Sequence, residues 1–171
     1  MKNQEPIQLY SNLIKSDVGD LFAIVDNEHI YLLCFREEIN QKMKALSNYY
    51  NYMIENKKTK THEYLQLQIT EYFQGNRVQF DLPCVLWGTE FQKKVWKQLQ
   101  TIPYGTTISY KTLAKKIGNE KAYRAVGSAN GKNNHVILIP CHRVIANNGT
   151  LGGYTGGLQI KERLLAIEYT E

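Results

Sequence analysis

The chain has no run of roughly 18 apolar residues, so no membrane-crossing helix is expected. Its opening residues, MKNQEPIQLY, lack the apolar stretch of a secretory signal. Cysteine is scarce, with Cys34, Cys84 and Cys141 the only three in 171 residues. An odd and small number argues against a disulfide framework and for a reducing compartment, so a cytoplasmic protein is expected. No CxxC pair and no His/Cys cluster has zinc spacing. His29 and Cys34, in an expected hairpin, read as structural, and neither a metal nor a cofactor is expected. Internal repeats and low-complexity tracts are missing as well.

Acidic residues are in short supply in one half only. Residues 89–171 carry twelve Lys and Arg against five Asp and Glu, whereas residues 1–88 carry nine against eleven. Positive charge gathered in one half points to a polyanion partner, or else to a solvated lysine surface. With 43% hydrophobic and 22% charged residues, the composition is that of ordered globular material, enough for one domain or two small ones.

Two strands are expected in LFAIVDNEHIYLLCF, around a turn at Asp26-Asn27. Helices are expected over Glu38–Glu55 and His62–Gln74, the second stopped by Gly75. RVQFDLPCVLW reads as a strand or extended linker, broken at Pro83. The expected domains are 1–80, a small α/β unit without a chemical constellation of its own, and 81–171. Cys84 reads as packing.

The second half is better marked. Thr89 with Gln92 forms a capping box, and the helix behind it carries Phe91, Val95 and Leu99 on one stripe. Ser109 can cap YKTLAKKI, stopped by Gly118, and Asn119 can cap EKAYRAVGSAN. Two short helices around a tight Gly-Asn turn have the outline of a helix-turn-helix. Ala122, Ala125, Gly127, Ser128 and Ala129 make the second helix slim, and Lys121 and Arg124 lie on it. A slim helix either packs closely on another helix or lets a partner approach its backbone. HVILIP reads as a strand buried on both faces, and RVIA as a second extended piece turned by Asn148-Gly149. LGGYTGG reads as backbone that comes close to a ligand or to the Cys141 segment. In the last helix, Leu158–Glu168, Glu168 shares an apolar stripe with Leu164 and Leu165. A carboxylate there must be buried with partners, or frayed into water near the chain end.

Cys141 follows an apolar run and Pro140, with His142 next to it. A thiol of ordinary pKa, ~8.5, needs a base to become a nucleophile, and that base needs an orienter. Neighbouring residues of an extended chain point to opposite sides, so His142 would act on Cys141 through a bridging water, with Glu168 holding the imidazole. The alternative is a small buried thiol with no chemistry.

FQKKVWKQLQTIPYG, TISYKTLAKKIG, YRAVGSANGKN, IPCHRV and GTLGGYTGGLQIKERLLAIE occur in that order. Together they resemble the methylated-DNA–protein-cysteine methyltransferase family, also called O6-alkylguanine-DNA alkyltransferase, over about residues 75–171. The resemblance implies an α/β protein: a ribonuclease-H-like N-terminal domain, then a mainly helical, winged helix-turn-helix-like domain. It implies that Cys141 accepts an alkyl group, with His142 and Glu168 in a water-mediated relay. By the same likeness, Asn133 holds the active-site turn and Tyr110 donates to the leaving guanine ring. Arg124 is the finger that fills the gap left by a flipped nucleotide. Tyr154 and Thr155 cover the base, with Cys141 and Val144 in the pocket. Lys121, Ala125, Ser128, Lys132 and Tyr110 join Arg124 on the DNA side. The partner implied is double-stranded DNA containing alkylated bases, met by a monomer with no membrane. The product is a thioether that no residue here can cleave, so each chain acts once. The family usually reads Asn-Pro where this chain reads Asn133-Asn134, which relaxes that turn.

Two other functions fit parts of this pattern. A Cys-His hydrolase would use the same dyad but leaves the basic helix pair without a purpose. A pure DNA-binding module would use the helix pair and leave Cys141 structural.

Overall fold

The computed structural model describes residues 5–169, and the chain divides into two compact units, 1–87 and 88–171. The division falls after Trp87 rather than after residue 80. The segment behind Phe80 belongs to the first unit because Ile30 donates to the Pro83 carbonyl at 2.9 Å and Val85 donates to the Ile30 carbonyl at 2.8 Å. The Trp87 indole then reaches the Tyr31 carbonyl at 2.5 Å.

The first unit is a four-stranded mixed sheet with two helices. Strands β1 (Ile7–Ile14), β2 (Leu21–Val25), β3 (Ile30–Phe35) and β4 (Tyr52–Asn56) lie in the order β3-β2-β1-β4. β1 pairs antiparallel with β2 and parallel with β4. Helix α1 (Ile39–Leu46) packs on β3, and α2 (Lys60–Phe73) packs on β1 and β2. Leu9, Ile24, Leu32, Cys34, Leu46 and Trp87 form one core cluster.

The helix expected over Glu38–Glu55 ends at Leu46, and its second half is loop and β4. Ser47, Asn48 and Asn51 favour caps and turns over helix interiors, and Tyr52, Met53 and Ile54 find a strand partner in β1. β1 escapes the sequence reading because Gln8, Ser11 and Asn12 break its apolar pattern. Ser11 is nevertheless buried.

The second unit opens with α3 (Glu90–Leu99), where Thr89 and Gln92 close the capping box at 3.2 and 2.9 Å. Short strand β5 (Ile108–Ser109) leads into α4 (Tyr110–Lys116), capped by Ser109 on the Thr112 amide. A 3-10 turn over Glu120–Ala122 precedes α5 (Tyr123–Gly131). Asn119 therefore does not cap a longer helix; its side chain makes no capping hydrogen bond. α3, α4 and α5 pack on one another, and the Trp96 indole donates to the Ala129 carbonyl at 2.9 Å. Ala129 thus serves helix packing, while Ala125 and Ser128 stay exposed. After a 3-10 turn over Cys141–Arg143, β6 (Val144–Ile145) pairs parallel with β5, and α6 (Leu158–Glu168) packs against that turn.

HVILIP is not a strand. Ile137 sits at φ +70°, and the amides of Leu138, Ile139 and Cys141 bond to the Val136, His135 and Ile139 carbonyls. Its apolar residues are buried as expected, but in a knot of turns. The extended RVIA piece survives only as the two residues of β6. Among the described residues, no helix is long and apolar enough to cross a membrane.

Candidate active site

Side-chain amides help to hold the knot that replaces the expected strand. Asn133 Nδ2 lies 2.8 Å from the Ile139 carbonyl, 3.3 Å from the His135 carbonyl and 3.2 Å from Cys141 Sγ. Its Oδ1 accepts from the His135 amide at 2.9 Å. Asn130 Nδ2 adds a bond to the Cys141 carbonyl at 3.2 Å. The chain thereby turns back after Pro140 and presents the thiol to a cavity of ≈ 470 Å³. Tyr110, Gly127, Asn130, Gly131, Gly153, Tyr154 and Thr155 complete its lining. An N–H donor aimed at sulfur interacts more strongly with a thiolate than with a thiol.

Glu168 is buried, and so are its partners. His142 Nε2 donates to Oε1 at 2.7 Å. Arg143 clamps both oxygens, Nε to Oε2 at 2.8 Å and Nη2 to Oε1 at 3.0 Å, and gives Nη1 to the Ile102 carbonyl at 2.6 Å. The Gly105 amide reaches Oε2 at 3.3 Å. Burial alone would raise the Glu168 pKa, but the hydrogen bonds from His142 and Arg143 and the Arg143 charge hold it down to about 2. Complete burial pushes the His142 pKa below its usual value, against the pull of Glu168. The imidazole is therefore neutral at neutral pH, and Arg143 is the cation that balances the carboxylate. With Nε2–H directed at Glu168, the lone pair falls on Nδ1, a buried nitrogen with no hydrogen-bond partner among the described residues. A base with its tautomer fixed by a carboxylate is what a proton acceptor needs.

The glycine loop closes the other side. The Tyr110 hydroxyl lies 3.5 Å from the Gly153 carbonyl, and Thr155 Oγ1 donates to the Gly131 carbonyl at 3.0 Å. Gly152, at φ +68°, lets the loop pass the Tyr110 ring; a Cβ there would come within 3.1 Å of it. Burial first, and the nearby Cys141 next, raise the Tyr110 pKa, with Asn130 opposing, so the phenol keeps its proton.

Of the other expected residues, Lys121, Arg124, Ala125, Ser128 and Lys132 are all exposed, along the 3-10 turn and helix α5 or just after it. The Arg124 guanidinium stacks over the Tyr123 ring at 5.7 Å. Val144 is fully buried and does not line the cavity; its carbonyl accepts from Lys161 instead. Sequence reasoning missed Arg143, Asn130 and Lys161. Lys161 falls on the same buried stripe as Leu164, Leu165 and Glu168, so the pattern that singled out Glu168 also contained it.

A family model described as 6-O-methylguanine DNA methyltransferase, DNA binding domain, matches residues 90–170. The methylated-DNA–protein-cysteine methyltransferase of Methanosarcina barkeri is 42% identical over 160 residues, which are 94% of this chain and 97% of that protein. The protein of the same name from Shigella flexneri is 40% identical over 165 residues, 95% and 96% of the two chains. A crystal structure of Mycobacterium tuberculosis OGT in complex with DNA superposes with a TM-score of 0.80 at 35% identity, covering 95% of this chain and 93% of that one. With its cysteine, buried acid and covering loop assembled as described, the chain belongs to the methylated-DNA–protein-cysteine methyltransferase family.

Proposed function

We propose that this chain repairs alkylated DNA by direct reversal, taking the alkyl group from O6-alkylguanine, with O4-alkylthymine as a second substrate, onto Cys141. The observation that carries the assignment is the Cys141 thiol lining one cavity with the Tyr110 phenol, next in the chain to a neutral His142 oriented by Glu168. The Cys141 proton passes through a water to His142 Nδ1. The thiolate then attacks the alkyl carbon in line, an S–C bond forms, and the O6–C bond breaks with its electron pair moving onto the guanine. Tyr110 donates to the ring that receives this charge. Glu168 and Arg143 stay fixed, so the relay costs no reorganisation. The thioether is stable, and the chain acts once.

The alkylated oxygen of a paired guanine is inaccessible to a buried thiol, so the base must leave the stack. The α4–α5 pair serves as a helix-turn-helix, and the loop after β6 as its wing. Ala125 and Ser128 let the α5 backbone approach the minor groove, Arg124 enters the vacated place, and Lys121 and Lys132 meet phosphates. The first unit, a ribonuclease-H-like sheet, has a structural role. The protein works as a monomer, in a reducing cytoplasm that keeps its thiols free.

Cys141→Ala tests the assignment. It should abolish removal of the methyl group from a methylated duplex while leaving duplex binding within about twofold, since the thiol contributes nothing to phosphate contacts. Persistent methyl removal by this variant would move the acceptor elsewhere.

A further inference from the structure

Lys161 is the one fully buried lysine side chain among the described residues, and the alkyl-transfer relay has no use for it. It makes no ion pair among those residues. Its Nζ points instead at three backbone carbonyls: Val144 at 2.6 Å, Leu151, and Gly153 at 3.4 Å. Val144 directly follows the Cys141–Arg143 turn, and Leu151 and Gly153 belong to the glycine loop. The ammonium also lies 6.0 Å from the centre of the Tyr110 ring. An ammonium has three hydrogens and no lone pair, which matches three acceptors.

We propose that Lys161 is a positioning residue for alkyl transfer: its buried ammonium clips the glycine loop to the strand that leaves the Cys141 turn, and so fixes where Tyr110 and the loop meet the base. The proposal rests on the assignment of Cys141 as acceptor, but the clip itself does not.

The clip is sensitive to pH. A neutral amine keeps two hydrogens and gains a lone pair, which must then face a carbonyl oxygen. At least one tether is lost and the loop is released. Burial lowers the Lys161 pKa to about 8, with Cys141 pulling the other way. The titratable groups around it are Tyr110 from α4 and Cys141 and His142 from the 3-10 turn; none of them brings a carboxylate. Release of the loop therefore falls just above neutrality.

Two measurements test this on the full chain. The first follows backbone amide resonances of residues 150–156 from pH 6.5 to 9.5, in the wild type and in Cys141→Ala. They should shift together with a midpoint near 8 in the wild type and a lower one in Cys141→Ala, where the pull of Cys141 is lost, in step with the Lys161 side-chain resonance in each. Loop resonances that are flat through this range, or that lose their inflection with the thiol, overturn the clip. The second compares rate constants for methyl transfer from free O6-methylguanine to wild type and Lys161→Met. The variant should be at least about tenfold slower at pH 7. The ratio of the two rates should fall about fivefold between pH 8 and 9, as the wild-type ammonium is lost. A ratio independent of pH overturns the positioning role. If Lys161→Met does not fold, the wild-type titration decides alone. If the wild type accepts no methyl group on Cys141, the functional assignment fails, and the loop titration still decides the clip.

Discussion

Arg124→Ala should slow methyl removal from a well-paired duplex by about a hundredfold, and should leave reaction with the free methylated base unchanged. Extruding a base costs a few kcal/mol in a duplex, and every 1.4 kcal/mol is roughly a factor of ten in rate. A free base needs no extrusion. The structure places Arg124 where this difference can arise: exposed near the start of α5, with its guanidinium resting on Tyr123 rather than engaged in the interior. Lys121 and Lys132 are exposed nearby, and with the proposed phosphate contacts their loss should weaken binding to all DNA without separating the two substrates. The measurement is four rate constants, wild type and Arg124→Ala on duplex and free base. Equal slowing of both substrates would make Arg124 a structural residue and assign extrusion to another side chain.

Glu168→Gln should cost both chemistry and stability. Glutamine offers one carbonyl oxygen, enough to accept from His142 Nε2, but its amide group then faces Arg143. That guanidinium, held at 2.8 and 3.0 Å from the two carboxylate oxygens, loses its counter-charge while staying buried. Breaking a buried pair on one side costs about 3–5 kcal/mol. Loss of a well-oriented base slows a reaction by about a hundredfold or more, which sets the expected drop in transfer rate. Affinity for undamaged DNA should be nearly intact, because Glu168 lies inside and Arg124 outside. The pH dependence follows from the same carboxylate. Its pKa, about 2 in the folded chain, lies below the usual 4.5 of a glutamate, so its stabilisation is complete above pH 4.5 and fades as pH falls towards 2. Thermal unfolding between pH 5 and 2 should show that loss in the wild type and a shallower one in Glu168→Gln. A variant with wild-type rate and stability would remove Glu168 from both roles.

The parts of this site that were legible in the sequence were those set by local chemistry. α6 runs over Leu158–Glu168 as its periodicity requires, and the Thr89 box forms because its two partners are three residues apart. Glu168 announced itself as an acid on an apolar stripe. What could not be read was set by long-range partners. Four consecutive apolar residues from Val136 to Ile139 look like a buried strand, yet among the described residues they pair with no strand. Their backbone groups are met by local turns and by the Asn133 amide, with Ile137 at φ +70°. Lys161 passes for a surface lysine because the carbonyls that hold it come from Val144, Leu151 and Gly153, eight or more residues away. β4 was absorbed into a helix because its partner, β1, was itself unrecognised. Asn134, where the family usually has proline, is buried in the turn, and the Asn133 bonds hold that turn in place beside it.

The central claim, that Cys141 is the acceptor and is used once, is tested most directly by mass. The full chain is mixed with an excess of duplex carrying O6-methylguanine, and intact mass is followed by peptide mapping. One methyl group per chain, on the peptide that holds Cys141 and on neither Cys34 nor Cys84, is the expected result. A methyl group on another residue, or more than one guanine restored per chain, would contradict it.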